Sequence, residues 1–300
     1  MLKLLSLLVL VAGSPAAAQT VHSLDKVPTV LKTPEAKATF AQQIEGKPIP
    51  DGLGARLPAA LSAAQVTSLL VPPSDQTPAT IVGARPLPGQ PGVYVAIACT
   101  GGSTPGPSDK TCYQSPFDAP HPDMRVYVGL IQVADGAPPR LLAKPAELAG
   151  KVDWRDTILG DAPEILEEIK DGLLTPEEIT RFDLAPYVIA PGQRAFGLQG
   201  AWSEAYAGGG AQFSAIYLFA IVDGALKQVL ATPMSFSKTI AGDWHRDGTR
   251  DHDVTEAANV LIVTARQTDG HFDLLQKARI GKDSRVFKWS AMANRYEPAP

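Results

Sequence analysis

Two stretches decide how this chain folds: "VYVGLIQVADGAPPRLLAKP" (126–145) and "AIYLFAIVDGALKQVLATP" (215–233). They share a register. Tyr127 matches Tyr217, Asp135-Gly136-Ala137 matches Asp223-Gly224-Ala225, and Leu142-Ala143-x-Pro145 matches Leu230-Ala231-x-Pro233. Each is an apolar run, an Asp-Gly pair and a second run. Asp-Gly between apolar runs signals a hairpin, because both residues tolerate positive φ. A weaker third copy, "VLIVTARQTDGHFDLLQKA" (260–278), is centred on Asp269-Gly270. Upstream of the first two copies stand "GVYVAIAC" (92–99) and "RAFGLQGAW" (194–202), each followed by a loop. The repeating unit is therefore read as a three-strand meander with a variable first loop, and the shared register points to a duplication.

Working outward, the tail "SRVFKWSAMANRYEP" (284–298) adds one more hairpin, with Phe287, Trp289 and Tyr296 as core or edge aromatics. From about Thr80 onward, β-branched and aromatic runs alternate with Gly, Pro and Asp, which is the pattern of strands and turns. Residues 161–174, "DAPEILEEIKDGLL", look helical, with Asp161 as N-cap and Glu164 three residues on; "TPEEITRF" (175–182) extends this connector. Two short helices are predicted earlier. One has Thr33 as N-cap and Pro34 at its first position, and runs to about Glu45. The other covers about 58–70 and stops before Pro72-Pro73. The fold class is thus mostly β with a few short helices, built of repeated meander units that form either a propeller-like array or two packed sheets. The organisation expected is a leader at 1–18, an N-terminal extension at 19–79, a first β unit at 80–160, a helical connector at 161–182 and a second β unit at 183–300, the two β units packing as one domain.

The leader reading rests on "MLKLLSLLVLVAGSPAAAQT". Lys3 is the positive end, Leu4 to Ala12 the apolar stretch, and Ala16-Ala17-Ala18 the small residues for cleavage after Ala18. The apolar stretch is about half the ~20 residues that span a bilayer. Export to a periplasm or the medium is expected, with no membrane insertion after cleavage. The chain has 300 residues, a formal net charge of −4 and 45% hydrophobic residues. That supports a sizeable core and argues against nucleic acid as a partner. In an exported chain the two cysteines, Cys99 and Cys112, are expected to form a disulfide across a turn-rich loop. A redox-active pair wants Cys-x-x-Cys spacing, which is absent.

Chemistry concentrates in "GDWHRDGTRDHD" (242–253). Counting from Asp243, candidate ligands fall at Asp243, His245, Asp247 and Asp251, with Gly248 at the sharp turn. This alternation suits an ion loop. The string Gly-Asp-aromatic-x-x-Asp-Gly-x-x-Asp, covering 242–251, resembles the short calcium loops of FG-GAP repeats. The resemblance implies Ca²⁺ held by Asp243, Asp247, Asp251 and the Thr249 carbonyl. His245 departs from it, because that position is normally Asn or Asp and imidazole is a poor calcium ligand. Three other readings stand beside calcium: a loop closed by its own side-chain hydrogen bonds, a zinc site using His245 and His252, and a catalytic cluster. His252 and its neighbouring aspartates alternate faces in a strand, so adjacency makes no dyad. No Gly-x-Ser-x-Gly or His-Glu-x-x-His motif is present. His22 is expected in a disordered terminus, His121 in a Pro-rich loop, and His271 in solvent after its turn. In "WSEAYAGGGAQFS" (202–214) the glycines read as a flexible hairpin loop rather than a phosphate cradle, since a strand-like run follows. Trp202, Glu204 and Tyr206 there are a possible ligand surface.

With its leader and cysteine pair, the chain resembles exported bacterial envelope proteins. The expectation is a β-rich binding or structural module whose partner is an envelope protein or a small ligand. The alternatives are a metal-dependent envelope hydrolase using the 243–253 cluster, and an inhibitor or immunity-type protein.

Overall fold

The computed structural model describes residues 18–103, 110–114, 123–155, 157–167, 169 and 171–299. Residues 1–17 of the expected leader, residues 104–109 of the disulfide loop and His121 lie outside the described residues.

The chain begins with a short strand, β1 (Gln19–Val21), and the helices α1 (Val27–Val30), α2 (Pro34–Gln43) and α3 (Ala63–Leu70). Strands β2 (Ala79–Pro86) and β3 (Val93–Thr100) follow. Strand β4 (Cys112–Tyr113) then leaves for the edge of another sheet, and β5 (Arg125–Ala134), β6 (Ala137–Leu141) and β7 (Ala146–Glu147) return. The first sheet runs β2-β3-β5-β6, with β7 also on β5. Strands β8 (Val152–Asp153) and β9 (Leu173–Leu174) form a small pair of their own. The second sheet is one antiparallel meander: β10 (Glu178–Ala190), β11 (Gln193–Tyr206), β12 (Gly209–Val222), β13 (Ala225–Trp244), β14 (Arg250–Thr268), β15 (His271–Ala278), β16 (Ser284–Ser290) and β17 (Arg295–Pro298). β4 borders β10, and β1 adds to β14. The protein is mostly β, and its architecture is that of packed sheets.

The Asp-Gly pairs of the three repeat copies turn hairpins: β5 into β6, β12 into β13, and β14 into β15. Asp223-Gly224 and Asp269-Gly270 hold positive φ at both positions, whereas in the first turn Gly136 alone does so. That conformation is inexpensive only for such residues, which is why these short pairs mark the reversals.

The core explains why the apolar run in β12 is continuous. Phe213, Ala215, Tyr217 and Phe219 face the first sheet and join Val95, Ile97 and Val128. Ile216, Leu218, Ala220 and Val222 face the other way, toward Leu274, Phe287 and Trp289. Side chains alternate along a strand, so a strand covered on both faces must be apolar throughout. The second sheet supplies its own cover by curling, which brings β10 against β15. A register shift in the β12–β13 pairing falls beside Pro233, which has no N–H to give the ladder. Its carbonyl instead accepts the side-chain amides of Asn259 and Gln276, both buried. The tail hairpin closes the fold, with Phe287, Trp289 and Tyr296 all buried.

Cys99 and Cys112 are bonded, with Cα atoms 6.1 Å apart. Because β3 belongs to the first sheet and β4 to the second, the bridge joins the two sheets as well as closing a loop.

Helix α2 starts as its sequence predicts, with the Thr33 hydroxyl accepting the Ala36 amide at 3.2 Å. Helix α3 starts later than the expected 58, at Ala63, because Ser62 and Gln65 form a capping box there. It covers the outer face of the first sheet with Val66 and Leu70. Gly129 permits this approach, since a Cβ there would lie 2.3 Å from Leu70 Cδ2. The helical connector expected at 161–182 is corrected. Its described residues form one 3-10 turn (Glu164–Glu167), then β9, and from Glu178 the strand β10. Ile179 and Phe182 are drawn into the core between the sheets. Burial there outweighs the local helical preference. Among the described residues no helix is long and apolar enough to cross a membrane.

Candidate functional site at the tip of the β13–β14 hairpin

The pair Trp244–Arg250 ends the ladder between β13 and β14, and residues 245–249 make the connection. The His245 amide donates to the Thr249 carbonyl at 2.8 Å, and the Gly248 amide to the His245 carbonyl at 3.1 Å. Gly248 holds φ at 83°, which a side chain would strain. Asp247 Oδ1 accepts both the amide and the hydroxyl of Thr249, at 3.0 and 2.7 Å. These two bonds hold the Asp247 carboxyl below its ordinary range. Arg250 donates to the Gly242 carbonyl at 2.8 Å and lies over the Trp244 ring.

Strand β14 sorts the remaining residues by face. Antiparallel pairing sets Val21 across from His252 and Thr20 across from Asp253, and so brings His22 to Asp251. The Thr20 hydroxyl donates to Asp253 at 2.6 Å. Asp251 Oδ1 receives two imidazoles, His22 Nδ1 at 2.8 Å and His245 Nε2 at 2.7 Å. The two rings meet edge to face, 5.4 Å between centroids. The hydrogen bond to Asp251 raises His245 above the ordinary imidazole value, and the bonds from His245 and His22 lower Asp251 below the ordinary carboxylate value. Among the described residues, His22, His245 and Asp251 are the one group of three or more ligand-type side chains whose atoms lie within 4.8 Å of one another.

The residues of the ten-residue pattern therefore separate. Asp247 closes on Thr249, Asp251 serves two histidines, and Asp243 is exposed near the end of β13. His252 points to the opposite face, as strand alternation requires, and its Nδ1 is buried with no hydrogen-bond partner among the described residues. His22 is the member that reading the sequence missed. It is expected in a disordered end, yet β1 orders it against a residue 229 positions away. The β-branched Thr20-Val21 before it is the local signal of a strand.

The proposed ligand surface at Trp202, Glu204 and Tyr206 is corrected. Trp202 is buried, packs edge-on against Trp154, and donates to the Thr175 carbonyl at 2.7 Å. Glu204 accepts the Glu164 amide and the Tyr206 hydroxyl. Lys238 covers the Tyr206 ring and pairs with Glu164 at 3.2 Å. Glu204 and Lys238 thus fasten Glu164 beside β11, while Trp202 lies in the core between the sheets. The glycines after them make a tight hairpin, with Tyr206 opposite Gly209. A Cβ on Gly209 would lie 1.8 Å from the Thr239 carbonyl, so contact with β13 requires the glycine. His271 also departs from expectation, since it stacks on Trp289 with centroids 3.8 Å apart.

Comparison with protein-family models, with curated proteins and with solved structures found no match to this chain.

Proposed function

We propose that the chain is an exported β-rich binding protein of a non-reducing, periplasm-like compartment, and that its binding element is the tip of the β13–β14 hairpin. The observation that carries this reading is the convergence of His22, His245 and Asp251, from two distant parts of the chain, at a solvent-open tip. The Cys99–Cys112 bridge and the leader-like sequence at 1–18 support the compartment. The tip suits binding because its backbone is held by a strand ladder while its side chains stay open to solvent.

Two measurements test this. Mass analysis of protein secreted by a bacterial host should give a chain beginning at Gln19 with the bridge oxidised. A thermal-shift screen of that chain against cations, anions, sugars and short peptides should return a ligand whose effect disappears in the triple variant His22→Ala/His245→Ala/Asp251→Ala. Ligands that still act on the triple variant would move the binding element elsewhere.

A further inference from the structure

We propose that His22, His245 and Asp251 form a site for one divalent transition-metal ion of the zinc class, and that the ion clips the N-terminal strand to the hairpin tip. The proposal rests on the tip being the binding element and names what it takes.

The donor set selects the ion. Two imidazole nitrogens and one carboxylate oxygen suit zinc and its neighbours, whereas Ca²⁺ prefers oxygen throughout. The donor atoms lie within side-chain reach of a tetrahedral site, whose ligand atoms stand roughly 3.3 Å apart. Asp251 Oδ1 stands 2.8 Å from His22 Nδ1 and 2.7 Å from His245 Nε2. An ion at roughly 2.0–2.1 Å from each nitrogen would replace the two shared hydrogen bonds with little backbone movement. Each donor is positioned by main chain independent of the cluster: Asp251 by β14, His22 by the Thr20–Asp253 and Val21–His252 pairing, and His245 by its bond to Thr249. The exposure of His22 leaves room for water as a further ligand. β1 is only three residues long, and an ion bridging His22 to the hairpin tip would add to the packing of Val21 and the Thr20–Asp253 bond in fastening the start of the chain.

The test uses the mature, untagged chain beginning at Gln19, titrated with zinc chloride by calorimetry and with Co²⁺ by visible absorption. The expected result is one ion per chain, a Co²⁺ spectrum of mixed nitrogen and oxygen ligation, and a rise in melting temperature with Zn²⁺ but not with Ca²⁺. His22→Ala and His245→Ala should each weaken binding roughly tenfold or more, given that even the residues supporting metal ligands are worth about 10–100-fold. His252→Ala, on the opposite face, should leave it unchanged. Zinc binding that survives His22→Ala/His245→Ala with the circular dichroism intact would overturn the proposal, as would no binding at all. Should zinc fail while the screen still returns a ligand lost in the triple variant, the metal is wrong and the tip stands. Should both fail, the tip reading falls too.

Discussion

The two ends of β13 are built from one continuous strand and live in different solvents. Up to Phe236, which is 2% exposed, its apolar side chains sit in the two cores. Eight residues on, Trp244 is 69% exposed, yet its backbone is still paired, to Arg250. The ladder therefore outruns the core. Burial sets stability at the first end, whereas strand pairing and surface contacts such as the Arg250 bond to the Gly242 carbonyl hold the second, which leaves other side chains there available for chemistry.

The largest effect should come from the buried end. Phe236→Ala removes a ring stacked against Phe213 and should cost roughly 3–5 kcal/mol in urea unfolding. Trp244→Ala should change stability by less than about 0.5 kcal/mol. Equal losses would break the comparison.

Next is the clasp between the sheets. Cys99→Ser/Cys112→Ser should lose about 3 kcal/mol in the same assay, on loop-closure grounds. A variant as stable as the parent would show that the packed cores hold the two sheets unaided.

A smaller loss is expected beside that clasp, at Asp75, whose side chain is almost wholly buried. Burial pushes its carboxyl up, but the Thr100 hydroxyl at 2.7 Å, the Thr77 amide at 3.0 Å and the Tyr127 hydroxyl at 2.8 Å outweigh it, and the group is held well below its ordinary value. A lowered folded value means stability present above the ordinary value of 3.8 and lost as pH falls through the folded one. Tyr127→Phe should cost about 1–3 kcal/mol at neutral pH. It should also flatten the decline of stability at acid pH. An acid limb identical to the parent's would remove Asp75 from the explanation.

The smallest effect belongs to the tip. Asp247→Ala should speed exchange of the Thr249 amide and change global stability by about 1 kcal/mol or less. A loss as large as that from Phe236→Ala would mean that the tip is part of the cooperative core.

Particular residues show how much could be read from the sequence. The Asp-Gly turns, the Thr33 cap, the tail hairpin and the cysteine pair were all legible, because each depends on residues near in sequence or on a unique pair. The helical connector was misread because Ile179 and Phe182 answer to a sheet assembled elsewhere. Trp202 was misread because exposure depends on what covers a face. The candidate site was half legible. Spacing singled out 242–253, but it grouped Asp243 and Asp247 with Asp251 and omitted His22.

The sequence by itself determined the Asp-Gly reversals, the apolar strands that flank them and the start of α2, since φ preference, alternation and capping act within a few residues. The tertiary structure alone decided which faces are buried and which side chains meet at the tip. His22 reaches Asp251 through the register of β1 on β14, and that register is set by packing between segments more than two hundred residues apart.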